Sequence, residues 1–127
     1  AHSPNAVAWA AQNTRALHLN ALTHFEFGNA LRYSEFRGAI PSGSAAQYWA
    51  GFEAAIAQGR LIVATSNLAD VVDEAKRISS FRTLTGGQRG FDILHVAGAL
   101  MMKATHFLTF DGNQRKLAEA EGLMVPV

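Results

Sequence analysis

Apolar runs of four or five residues, set between longer stretches of helical period, constrain this chain more than any other feature. Leu61-Ile62-Val63-Ala64 is the clearest. A run that short and apolar at every position suits a strand covered on both faces by helices, as strands are in parallel sheets. Residues 16–20 and His106-Phe107-Leu108-Thr109-Phe110 read as two more strands. Strands alternating with helices predict an α/β domain around a mainly parallel sheet. A chain of 127 residues fits one such domain.

The helices have legible boundaries. Ser3-Pro4 opens an alanine-rich helix over 5–16, since proline is tolerated at the first helical position. Leu22, Phe25, Asn29 and Tyr33 continue with helical spacing until Gly38 and Pro41 interrupt it. Residues 42–58 form the next helix, with Tyr48, Trp49, Phe52 and Ile56 at core spacing. Asn67 caps a helix carrying Leu68, Val71, Val72, Ala75 and Ile78, and Gly86, Gly87 and Gly90 make 83–90 a loop. Residues 91–103 are helical again, and Asp111 caps a last helix that runs to residue 121.

Composition excludes several classes. With 49% hydrophobic and 17% charged residues, the chain is too apolar for disorder. It has no cysteine, so disulfide frameworks, thiolate metal sites and cysteine nucleophiles are out, and a cytoplasmic location is the expectation. Its longest apolar stretch, residues 96–102, is far too short to span a membrane. Residues 1–60 hold four Arg against three Glu, and residues 61–127 seven basic against seven acidic side chains. No basic tail therefore marks nucleic-acid binding.

Three carboxylates stand apart from the solvated ones. Glu26 lies between Phe25 and Phe27, Asp92 opens an apolar helix after the glycine loop, and Asp111 ends the 106–110 strand. In a parallel α/β sheet, strand ends and the helix starts that follow them converge on one edge, where sites form. Each acid also has a structural reading. Asp111 with Gln114 resembles a capping box, Asp92 suits a helix dipole, and Glu26 has Arg32 and Arg37 on its own helix. Taken singly, each is better accounted for as structural. The glycine loop lacks GxGxxG spacing, no GK[ST] follows it, and the five histidines lack HExxH spacing.

Gly90-Phe91-Asp92-Ile93-Leu94-His95-Val96-Ala97, followed by His106-Phe107-Leu108-Thr109-Phe110-Asp111 and then Gln114 and Gly122-Leu123, resembles the C-terminal half of a PIN domain. The resemblance is to VapC-type toxin ribonucleases of toxin–antitoxin pairs. His24-Phe25-Glu26-Phe27 with Asn29-Ala30-Leu31-Arg32 is similar to that family's helix bearing its first glutamate. The resemblance implies a three-layer fold and a metal-dependent endoribonuclease. It places Glu26, Asp92 and Asp111 around Mg2+ or Mn2+, because crowded carboxylates stay ionised only beside a hard cation. It also implies that Thr109 and Asn113 orient water, that Arg89 contacts phosphate, and that RNA and a cognate antitoxin are binding partners.

One departure matters. PIN domains carry a further aspartate on an N-terminal strand at the centre of the sheet, whereas no aspartate precedes Asp70 here. The expectation is an N-terminally incomplete PIN-like domain over 1–127, with weakened metal binding and unpaired strand edges that favour dimerisation. A non-catalytic PIN-fold binding or dimerisation module is the alternative.

Overall fold

The computed structural model describes residues 3–127. Its contacts group into two compact units. One comprises Arg15–Thr65, the other Ala1–Thr14 together with Ser66–Val127.

In the first unit, β1 (Leu17–Asn20) leads into α2 (Ala21–Phe36), then α3 (Ser44–Ala57) and β2 (Leu61–Ala64). The strands pair in parallel, Leu17 opposite Leu61 through Asn20 opposite Ala64. Asn20 ends the strand and starts the helix: its extended backbone turns the chain, and its buried side chain accepts the Thr23 N–H at 2.7 Å. α3 begins after Gly43, whose φ of 87° suits glycine and whose lack of a side chain leaves the helix start uncapped. Glu35 of α2 supplies the acceptor, taking the Ala45 N–H at 2.9 Å and placing negative charge where the helix dipole favours it.

The two helices meet through aromatics. His24 stacks on Trp49 at 5.0 Å between centroids, and Phe27 packs on Phe52 at 4.5 Å. The Arg32 guanidinium lies 5.5 Å from the Trp49 ring, within cation–π range. Gly28 sets their approach, since a Cβ there would press within 3.0 Å of the Trp49 ring. Tyr48, expected at a core position, is 55% exposed: it sits beside the aromatic seam rather than in it.

In the second unit, α1 (Ser3–Gln12) is joined by α4 (Leu68–Gly86), α5 (Gly90–Met101) and α6 (Gly112–Ala120). α5 supplies the largest share of the core through Ile93, Val96, Ala97 and Ala99, which pack with Val71 and Ile78 of α4 and Leu117 and Ala118 of α6. Asn67 caps α4 as the sequence predicts, accepting the Ala69 N–H at 2.9 Å. Beyond the core, Glu121 ties α4 to the end of α6. Its two carboxylate oxygens each lie 2.5 Å from an arginine of α4, Arg77 and Arg82. Arg82 also donates to the Ala120 carbonyl at 3.0 Å, placing positive charge at the negative end of α6.

Three boundaries differ from the sequence reading. α1 ends at Gln12 rather than 16, because Asn13 caps it with its side chain, donating to the Trp9 carbonyl at 2.8 Å. α4 runs through residues 83–86, which the three nearby glycines had suggested as loop. Only Gly87, at φ 64°, adopts the left-handed turn that stops a helix, its N–H bonding the Thr83 carbonyl. The third is the strand expected over 106–110, which is reduced to one parallel bridge between His106 and Met124. Phe107 N–H bonds the Met124 carbonyl at 2.8 Å, and no described strand continues the ladder beside residues 108–110. The fold is therefore α/β with a two-stranded parallel sheet, smaller than the expected sheet. Among the described residues no helix is long and apolar enough to cross a membrane.

Candidate functional site

The α4–α5 connection is short because Gly87 ends one helix and Arg89, with extended backbone, opens the next at Gly90. This turn and the first turns of α5 and α6 enclose a cavity of about 290 Å³, at the small end of the range for ligand sites. Segment 86–89, Asp92 of α5 and Asn113 and Lys116 of α6 line it. Gln88 folds back over Gly86, where any Cβ would collide with its amide, and its Oε1 is buried without a partner.

Three of the expected residues, Arg89, Asp92 and Asn113, thus come together. Asp92 is half-buried, and its carboxylate has no hydrogen bond or ion pair among the described residues. Neither do the exposed side chains of Arg89 and Lys116 pair with any acid there. One carboxylate and two cations therefore face a single cavity without an ion pair among the described residues. Sequence reading missed Lys116 and Gln88. Lys116 had a usable signal, since it lies three residues after Asn113 and so on the same helical face.

The other expected residues are engaged differently. Asp111 caps α6: its Oδ1 accepts from the Asn113 and Gln114 N–H groups, both at 2.9 Å. The reciprocal half of a capping box is absent, because the Gln114 side chain instead accepts the Thr109 hydroxyl proton at 2.7 Å. Thr109 is buried, and its oxygen also accepts the Asp111 N–H at 3.1 Å, so the hydroxyl stabilises the turn into α6. Glu26 lies exposed on α2, in the other unit.

The cap predicts a clear difference between two variants. Asp111→Asn retains an acceptor oxygen and unfolds in urea close to the parent, whereas Asp111→Ala loses about 1 kcal/mol. Equal losses would show that charge, not capping, sets the role of Asp111 in stability.

A divalent cation needs several oxygen donors, and the family resemblance requires three acids around it. Among the described residues no three His, Asp or Glu side chains form a group able to hold a metal ion. Among the described residues Asp92 is the one acid lining the cavity. The physical reason lies in the sheet: strand ends gather side chains at one edge only where several strands align, and here the 106–110 segment forms a single bridge. The cavity residues on their own do not fit a carboxylate metal cage. No family model matches this chain, and neither does any curated protein or any solved structure.

Proposed function

We propose that the chain is a PIN-like domain of the VapC ribonuclease type, with the three-layer fold that resemblance implies, and that it acts on RNA phosphodiesters at the Asp92 cavity. The observation that carries this reading is the meeting of Asp92, Arg89 and Asn113 around one cavity, the Asp92 and Arg89 charges forming no ion pair among the described residues. Asp92 is the group available there to take a proton from an attacking hydroxyl, and Arg89 the group to attract a phosphate. Asn113, also lining the cavity, offers both a donor and an acceptor for water. Mg2+ or Mn2+ is the cofactor the resemblance calls for. The cavity residues of this chain do not by themselves complete such a site.

In this reading the enzyme is cytoplasmic and a cognate antitoxin protein silences it. The exposed Phe25, Tyr33, Phe36 and Tyr48 of α2 and α3 form apolar surface suited to that partner or to a second copy in a homodimer. The test is cleavage of a mixed single-stranded RNA by the purified chain with Mn2+, with Mg2+ and with chelator. Cleavage in metal and none in chelator is expected. RNA binding without cleavage under all three conditions would instead establish the non-catalytic binding module, which the lack of a three-carboxylate group among the described residues favours.

A further inference from the structure

Lys116 has no part in the resemblance, yet it shares a cavity with Arg89. The two reach it from different elements, Arg89 from the turn before α5 and Lys116 from α6. Both are exposed and neither is neutralised by an acid among the described residues. Elsewhere on this unit the arginines and lysines of the helices find carboxylates: Lys76 pairs with Asp73, Arg77 and Arg82 with Glu121, and Arg115 with Glu119. Two cations that form no ion pair among the described residues, sharing one concavity with Asn113 and with the single carboxylate of Asp92, carry a net positive charge that suits an anion from outside the chain. The opening of about 290 Å³ admits a group of phosphate size with part of its sugar.

We propose that Arg89 and Lys116 act as a pair that seats one phosphate of the RNA backbone in this cavity, next to Asp92. Arg89 gives a planar two-pronged contact and Lys116 a point charge on a flexible stem, so the two divide orientation and attraction between them. Asp92 opposes the anion. Its charge weakens ground-state binding of the very phosphate the cations attract, which gives the arrangement a signature that no diffuse basic surface would have. The proposal rests on RNA being the substrate, but it concerns binding, which is measured without turnover.

The test uses the full chain in chelator, so that no cleavage occurs, and a fluorescent single-stranded oligoribonucleotide whose anisotropy is followed across a salt series. Arg89→Gln and Lys116→Gln are each expected to weaken binding about tenfold and to flatten the plot of log affinity against log salt by about 0.7. Lys116→Arg restores both. Asp92→Asn tightens binding, and Lys76→Gln, on the outer surface of α4, leaves affinity and slope nearly unchanged.

Equal weakening by Lys76→Gln and Lys116→Gln would replace the pair with general surface attraction. Parental binding by both Arg89→Gln and Lys116→Gln would overturn the proposal while leaving metal-dependent cleavage, and with it the ribonuclease reading, untouched. Loss of cleavage in every metal together with the expected binding pattern would keep the phosphate pair and discard catalysis. Absence of any RNA binding by the parent chain would remove both.

Discussion

Asp92→Asn is expected to lower RNA cleavage by about a hundredfold or more while the variant loses at most about 1 kcal/mol of stability. The substitution keeps the size of the side chain and one acceptor oxygen, exchanges the other oxygen for an amide donor and removes the charge. That charge is what either a proton acceptor or a cation ligand requires. Stability is expected to hold because the carboxylate has no partner among the described residues whose loss would be felt. Its position in the first turn of α5 contributes only a dipole interaction, roughly 0.3–1 kcal/mol at a partly exposed site. The measurement is initial cleavage rate beside urea unfolding, with both proteins purified identically to expose contaminating nuclease. Undiminished cleavage by the variant would remove Asp92 from the chemistry and the ribonuclease reading with it.

Helix positions were legible in the sequence wherever a cap or a left-handed glycine fixed them. Asn67 and Asp111 marked helix starts because a short side chain there has one productive use, accepting the N–H groups of the first turn. Glycine was less informative, since Gly86, Gly87 and Gly90 look alike in sequence while only Gly87 takes a positive φ. Strands were the hardest. Leu17–Asn20 and Leu61–Ala64 found each other, but His106 to Phe110 has the same apolar character and pairs only at its first residue. Whether an apolar run becomes a strand depends on a neighbour that its own residues do not encode.

The site divides in the same way. Arg89 and Asp92 lie close in sequence, so their meeting needed only a short turn between two helices. Asn113 and Lys116 join them through the packing of α6 on α5, where Leu117 and Ala118 face Val96 and Ala97 in the core. The segment before Asp111 forms one bridge, with no further described strand beside it, so the edge the sequence led one to expect there is not built. The same dependence explains Glu121. Sequence shows it only as the last residue of a helix, whereas the fold makes it the anchor of two arginines 39 and 44 residues away.

Removing that anchor is the second large expected effect: Glu121→Gln lowers stability at neutral pH by about 2 kcal/mol, the scale of hydrogen bonds to charged groups. The Glu121 side chain is only 7% exposed while Arg77 and Arg82 remain 42% and 34% exposed, so the arginines keep water after the change and no buried cation is stranded. This keeps the loss below the 3–5 kcal/mol typical of a broken buried pair. Burial alone would push the Glu121 carboxyl up, but the hydrogen bonds from Arg77 and Arg82 outweigh it and hold the group below the usual carboxylate range. A carboxyl whose value is lower folded than unfolded stabilises the fold above its unfolded value and loses that contribution as pH falls through the folded one. The parent should therefore exceed Glu121→Gln by a constant margin from neutral pH down to about 5, and the margin should shrink below roughly pH 4.3, where an unfolded glutamate takes up its proton. Urea unfolding of both proteins at pH 7, 5 and 3 measures it. A margin unchanged at pH 3 would mean that the Glu121 carboxylate binds through its shape and not its charge.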